Sequence, residues 1–348
     1  MIDLYETKTS SANQAVGQRI SLAHGGGGQL TDELVASCVL PRLDNCVLSQ
    51  LLDSALFRGA ERLALTIDSY VVKPLKFPGG DIGRLAICGT VNDLAVCGAT
   101  PLAIALSLIL TEGLERRVLE EVMDSLAAAA LEARVSIVTG DTKVVGRGQG
   151  DGIYITTAGV GAAGTHKLHP DEVRPGDALI VSGPIADHGM AVMLAREMPQ
   201  VQSVLKSDVA PLNEMIERLL ERVPGVVFLR DPTRGGLSGV VADLANRTGL
   251  HITLEEQDIP IRPETWHVAD MLGVDPLDVA NEGKILAVVR PDAAEAALAA
   301  LRQDAHGKDA RIIGQVNDAR DGVCELHTKM GGRRVLQKPY GEQLPRIC

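Results

Sequence analysis

"DIGRLAICGTVNDLAVCGATPLAIALSLIL" (residues 81–110) contains two elements in succession. From Asp81 to about Ala99 the residues are mostly small and apolar, and an aspartate just before such a run is a preferred helix N-cap. "PLAIALSLIL" reads as a buried strand. The alternating "RLALTIDSYVV" (62–72) precedes the helix as another strand, joined to it by the turn-rich "KPLKFPGG". Beyond it, "LERRVLEEVMDSLAAAALEARV" (114–135) is an amphipathic helix of high-propensity residues. "SIVTG" and "GIYITTAGVGAAG" supply two more strands. Strands and helices therefore alternate through the first half.

A composition break at "THKLHPDEVRPGDALIVSGPIADHG" starts a second β/α series. Helices are expected at 187–197, 211–222, 235–248 and 291–304, and strands near 225–229, 251–255, 284–289 and 310–314. The reading is α/β (α+β) in two domains: an arm over 1–20, a first domain over 21–165, a second over 166–330 and a tail over 331–348. That tail, "GGRRVLQKPYGEQLPRIC", has two glycines, two prolines and no sustained pattern, as a flexible or extended arm would.

The chain has 348 residues, 45% of them hydrophobic and 23% charged, ordinary values for a globular protein. No run approaches the roughly 20 apolar residues of a membrane span. The polar N-terminus lacks the apolar core of a secretory signal, so a cytoplasmic location is expected. A formal net charge of −11 and 2% aromatic residues argue against nucleic acid as a partner. ATP remains compatible, because acidic residues hold the magnesium that neutralises its phosphates. Among the six cysteines no C-x-x-C pair occurs, and Cys88 and Cys97 read as small buried hydrophobes.

Several acids stand where a solvated surface explains them poorly. Asp68 ends an apolar strand, Asp81 opens a helix, and Asn92 and Asp93 lie within small apolar residues. Asp141 follows "SIVTG", and Asp231 opens "DPTRGGLSG". Asp81 also suits a plain N-cap, and Asp231 a proline turn. Asp93 must be paired, hydrogen-bonded or cation-bound if buried. Carboxylates at strand ends and helix starts suit hard divalent ions on triphosphate oxygens. Twelve residues of continuous helix would separate Asp81 from Asp93 by about 18 Å, too far for one ion. A loop start, a bend or a second subunit must intervene. "HGGGG" (24–28) and "RGG" (234–236) permit close backbone approach, but neither the P-loop nor the dinucleotide fingerprint occurs. Lys143 suits phosphate or a strand surface, and Glu282 a general base or a turn. Cys348, the last residue, is either an incidental free thiol or a covalent carrier on an arm long enough to reach tens of ångströms.

"TIDSYVVKPLKFPGGDIGRLAICGTVNDLAVCGATPLAIALSLIL", "VTGDTKVV", "RDPTRGGLSGVVADLA", "NEGKILAVV" and the closing "PRIC" together resemble the HypE family of hydrogenase maturation proteins. The similarity runs from about residue 20 to the end. The family belongs to the superfamily of aminoimidazole ribonucleotide synthetase, selenophosphate synthetase and thiamine-monophosphate kinase. The resemblance implies a two-domain, PurM-like fold whose N-terminal sheets pair across a homodimer. ATP would lie between the domains with Mg2+ on Asp68, Asp81, Asp93 and Asp231. Asn92, Gly140, Asp141 and Thr142 would contact nucleotide or phosphate, some from the other subunit. It implies that the carbamoyltransferase HypF loads Cys348, that the resulting S-carboxamide is dehydrated to a thiocyanate, and that cyanide passes to iron on the HypC–HypD complex. Glu282 would be the base, and Lys143 would neutralise phosphate charge or orient the carboxamide. The rival readings are a small-molecule kinase or synthetase of the same superfamily and a non-catalytic nucleotide-binding scaffold. "LAHGGGGQL" lacks the reactive cysteine of the selenophosphate branch.

Overall fold

A computed structural model describes residues 19–51 and 54–338. Cys348, the expected carrier, lies outside the described residues. No helix among those described is long and apolar enough to cross a membrane.

The first domain opens with a helical segment (α1, residues 29–43) in which a wider turn, Val35–Val39, joins Gln29–Leu34 to Leu40–Leu43. A four-stranded sheet follows: β1 (Leu63–Tyr70), β4 (Ala99–Thr111), β5 (Ser136–Val145) and β6 (Ile153–Ala163), in the order β1-β6-β4-β5. Two short strands, β2 (Lys76–Phe77) and β3 (Gly80–Asp81), form a separate hairpin. Helices α2 (Ile82–Val96) and α3 (Arg116–Glu132) share one core with the sheet. Alternation along β1 leaves Leu63, Leu65 and Ile67 56, 75 and 70% exposed on the opposite face. The register across the sheet runs Asp68–Thr157–Leu106–Gly140 and, one residue on, Ser69–Thr156–Ser107–Asp141. Asp68 therefore faces the helices, whereas Asp141 shares the uncovered face with Ile67 and Ser69.

The second domain holds a seven-stranded sheet of β7 (Ala178–Val181), β8 (Val226–Arg230), β9 (His251–Glu255), β10 (Leu286–Val289), β11 (Arg311–Asn317), β12 (Cys324–His327) and β13 (Arg333–Leu336). Its order is β13-β12-β9-β11-β7-β10-β8, antiparallel except for β12 and β9. Helices α5 (Asn213–Arg222) and α8 (Ala294–Arg302) cover one face and α6 (Gly236–Thr248) the other. Helix α4 (Asp187–Glu197) and helix α7 (Pro263–Leu272) join the core of the first domain instead, through Met190, Val192, Leu194, Val268 and Ala269. The two domains are thus packed through shared apolar residues.

The expected domain ends shift at both termini. Arg19 pairs with Glu115 and Ile20 is buried, so both join the first domain rather than the expected arm. At the other end Arg333–Leu336, expected as part of the tail, pairs with β12, because Leu336 buries its side chain in the second core. The sequence pattern also leaves out α7 and β12.

Candidate active site

Four carboxyl groups converge at one end of the second sheet. Strand β8 ends beside the start of β10, since Arg230 lies opposite Leu286. Asp231, just after β8, and Glu282, shortly before β10, are therefore delivered to the same place. From the first domain, Thr66 on β1 donates its hydroxyl to Asp93 Oδ2 at 2.8 Å, fixing the acid of α2 against the strand that carries Asp68. Arg234 in the "DPTRGG" turn brings its guanidinium to 3.8 Å from Asp68 Oδ1. That turn needs glycine: Gly235 and Gly236 have φ of +77° and +60°, and a Cβ on Gly236 would stand 2.5 Å from the Leu277 carbonyl.

Crowding shows in the ionisation of the group. Burial, then Asp93, and with a smaller effect Asp68, push Asp231 up to about 7. Burial and then Asp68 raise Asp93. Burial, followed by Asp231, Asp208, Asp68 and Asp93, holds Glu282 well above the ordinary carboxylate range. Glu282 is 4% exposed.

A carboxyl group whose pKa rises on folding opposes folding in its ionised form. For Asp231 the penalty is absent below about pH 4, grows from the unfolded value to about 7, and is fully present above that. Asp231→Asn removes it. Full burial would make the gain about 4 kcal/mol, but Asp231 is only partly buried, and we expect about 2 kcal/mol at pH 8. Denaturant titrations of the nucleotide-free protein at pH 4 and pH 8 check this. An unchanged or lowered stability at pH 8 contradicts it.

Oxygen donors of this kind suit a hard divalent cation, and their mutual repulsion is what such a cation relieves. No group of three His, Cys, Asp or Glu among the described residues is arranged to hold one as it stands. Asp68, Asp93 and Asp231 fit the role by chemistry and proximity. Asp81 is placed elsewhere. It caps α2, accepting the Arg84 N–H at 2.9 Å, and burial is the main cause of its raised pKa. Helix α2 runs unbroken from Ile82 to Val96, so Asp81 and Asp93 stand about 18 Å apart at its two ends.

Asn92 is also occupied. Its side chain is buried against the second domain, donating Nδ2 to the Ala210 and Glu282 carbonyls at 3.0 and 3.3 Å and accepting the Leu212 N–H at 2.8 Å. In this arrangement it ties the domains together, with its hydrogen-bonding capacity largely filled.

Gly140, Asp141, Thr142 and Lys143 lie on β5, the edge strand three positions from β1, about 14 Å away. Lys143 Nζ pairs with Asp141 Oδ1 at 3.2 Å, and both side chains are well exposed. Beside them a cleft of about 270 Å³ opens between β5 and α1, apolar at Val35, Leu43 and Ile137 and polar at Thr31 and Thr142. The glycine run closes on this strand: a Cβ on Gly25 would lie 2.3 Å from the Val144 nitrogen. One chain thus presents the carboxylate cluster and the β5 segment at opposite edges of a sheet, facing opposite ways.

Sequence reasoning missed a further buried polar set, Asp187, Asp208 and Lys284. Lys284 Nζ lies 3.4 Å from Asp208 Oδ2, and Asp187 bonds Thr265 and pairs with Arg262. A lysine within the apolar run "KILAVV" was the one available signal.

The two halves and their junction define an AIR synthase–related protein: residues 44–163 match the family model for the N-terminal domain of AIR synthase related proteins, and residues 174–327 that for the C-terminal domain. The chain is 44% identical to carbamoyl dehydratase HypE of Cupriavidus necator, covering 95% of each protein. It is likewise 44% identical to the HypE of Escherichia coli K12, over 94% of this chain and 99% of that one. Within the AIR synthase–related class, the chain belongs to the HypE family. A crystal structure of HypE in complex with ATP superposes with a TM-score of 0.90 at 41% identity, covering 94% of this chain and 99% of that chain. A HypE chain from a HypE–HypF complex gives 0.76 at 42%, covering 90% and 100%. Thiamine-monophosphate kinase from Stenotrophomonas maltophilia shares the fold, with a TM-score of 0.64 at 21% identity over 89% of this chain and 98% of that one.

Proposed function

We propose that this protein is an ATP-dependent carbamoyl dehydratase that converts an S-carboxamide on its own Cys348 to a thiocyanate. The observation that carries the reading is the convergence of Asp68, Asp93 and Asp231 on a buried Glu282 in a chain of the HypE family. An amide oxygen is a poor leaving group until it is phosphorylated. In the first step the carboxamide oxygen attacks the γ-phosphorus of ATP, ADP departs, and a phosphorylated imidate forms as nitrogen gives up a proton. In the second, nitrogen loses its remaining proton, the C–O bond breaks, and phosphate leaves a C≡N group on sulfur. Glu282 receives a proton from the nitrogen. Its raised pKa suits the acceptor role only when positive charge is near, which Lys143 would bring. Mg2+, held by Asp68, Asp93 and Asp231, would supply charge neutralisation on the phosphoryl group.

A second copy of the chain completes this picture. The uncovered face of the first sheet, with Leu63, Leu65 and Ile67, is apolar enough to bury against its like, and a homodimer built on it would carry the β5 segment towards the other copy's site. Asp81 joins the cation ligands only if a second copy supplies it. The relative crystallised with HypF supports HypF as the source of the carboxamide. The HypC–HypD complex would then accept the cyanide.

The reading is tested by C-terminal-peptide mass spectrometry after incubation with HypF, carbamoyl phosphate and MgATP. The expected product is a carboxamide on Cys348 that loses one water as ATP is hydrolysed, and no adduct on Cys348→Ala. An unmodified Cys348 in the presence of active HypF and ATP turnover would favour a free small-molecule substrate.

A further inference from the structure

Glu282 is gripped by its main chain. Its N–H donates to Asp208 Oδ1 at 3.2 Å. Its carbonyl accepts from Asn92 Nδ2 at 3.3 Å and from the Ala210 N–H at 3.5 Å. On the next residue, a Cβ at Gly283 would stand 1.8 Å from the Asp208 carbonyl oxygen, so only glycine lets the two backbones meet. Lys284 then folds back, donating Nζ to the Gly283 carbonyl at 2.9 Å while standing 3.4 Å from Asp208 Oδ2. On the other side, Asn281 donates to the Pro232 and Val279 carbonyls and accepts the Ala186 N–H. Every peptide from 281 to 284 is thereby fixed, and Asp208 touches three of the four residues.

Asp208 is an expensive way to hold a loop. Its side chain is 3% exposed, its Oδ2 accepts no hydrogen bond among the described residues, and it stands beside a carboxyl group already crowded by three others. A well-packed apolar pair would serve stability as well as a buried ion pair does. What the pair supplies is orientation: the acid anchors the Glu282 N–H, and the ammonium braces the following carbonyl.

We propose that Asp208 is a positioning residue for the dehydration, clamping the 281–284 loop so that the Glu282 carboxyl meets the substrate in a single orientation. The proposal rests on the reading of Glu282 as the base. Misplacing a catalytic group by an ångström costs on the order of 100-fold in rate.

The test follows the rate of water loss from the Cys348 carboxamide in the full-length protein loaded by HypF, at varied ATP. For Asp208→Ala we expect kcat to fall about 10- to 100-fold with KM for ATP unchanged. Asp208→Asn keeps the Oδ1 acceptor and should restore most of the rate. Gly283→Ala alters no polar group yet should match Asp208→Ala, because the added methyl displaces the clamp. A wild-type kcat in Asp208→Ala, a change confined to KM, or an asparagine variant as slow as alanine would each overturn the proposal. If Asp208→Ala does not fold, Gly283→Ala decides, and a wild-type kcat there overturns it. Glu282→Gln separates the two layers. Full activity in that variant removes the base itself, whereas its inactivity beside a fully active Asp208→Ala removes only the clamp.

Discussion

Glu282→Gln is expected to abolish thiocyanate formation while the protein still binds ATP and still accepts the carboxamide on Cys348. The substitution keeps shape and volume, and the peptide contacts to Asp208 and Asn92 do not involve the side chain. What it removes is the oxygen that can take a proton, and general-base catalysis is worth about 10²- to 10⁴-fold. Folding should not suffer, since the wild-type acid is pressed towards its neutral form by burial and four neighbouring carboxylates. A neutral amide fits that environment at least as well. Intact-protein mass spectrometry would then show the carboxamide persisting after ATP addition, with nucleotide affinity close to wild type by calorimetry. A normal yield of thiocyanate would take Glu282 out of the mechanism.

The second large effect concerns Lys143. The proposed reaction calls for its charge near phosphate, yet within one chain Lys143 sits on the far edge strand and on the face turned away from Asp68. If a second copy supplies it, Lys143→Ala and Glu282→Gln each inactivate both sites of a uniform dimer. Mixing and re-equilibrating the two inactive proteins should restore activity to about a quarter of wild type. Half of the dimers are then hybrids, and each hybrid contains one site with neither lesion. Persistent inactivity of a verified hybrid would show that Lys143 and Glu282 act within one chain or that Lys143 acts elsewhere. Loss of activity on Lys143→Ala alone, about 10²- to 10³-fold by the cost of one charge-stabilising group, is the precondition.

Local chemistry made much of this architecture readable. The aspartate before a small-apolar run announced α2 and its cap, and the alternation in "RLALTIDSYVV" announced β1 with a face left over. Asp93 stands out because a carboxylate among small apolar residues must be answered by something, and Thr66 answers it. The failures are non-local. Nothing in the string "GTVNDLA" shows that Asn92 holds the two domains together, because its partners lie 118 to 190 residues away. Asp208 sits in a stretch without periodicity, so nothing nearby marks it as the anchor of a loop more than seventy residues later. Strands β12 and β13 have only four residues each, too short for alternation to stand out, and their pairing depends on β9 having formed. Proximity in the folded chain, rather than residue type, decided which polar groups gather at the site.

The Asn92 tie also sets an order for biosynthesis. When α2 leaves the ribosome, residues 208–212 and 282 have not been made, so a buried amide waits without partners until most of the second half has been translated. The N-terminal half therefore carries an unsatisfied buried polar group until the second half has been made.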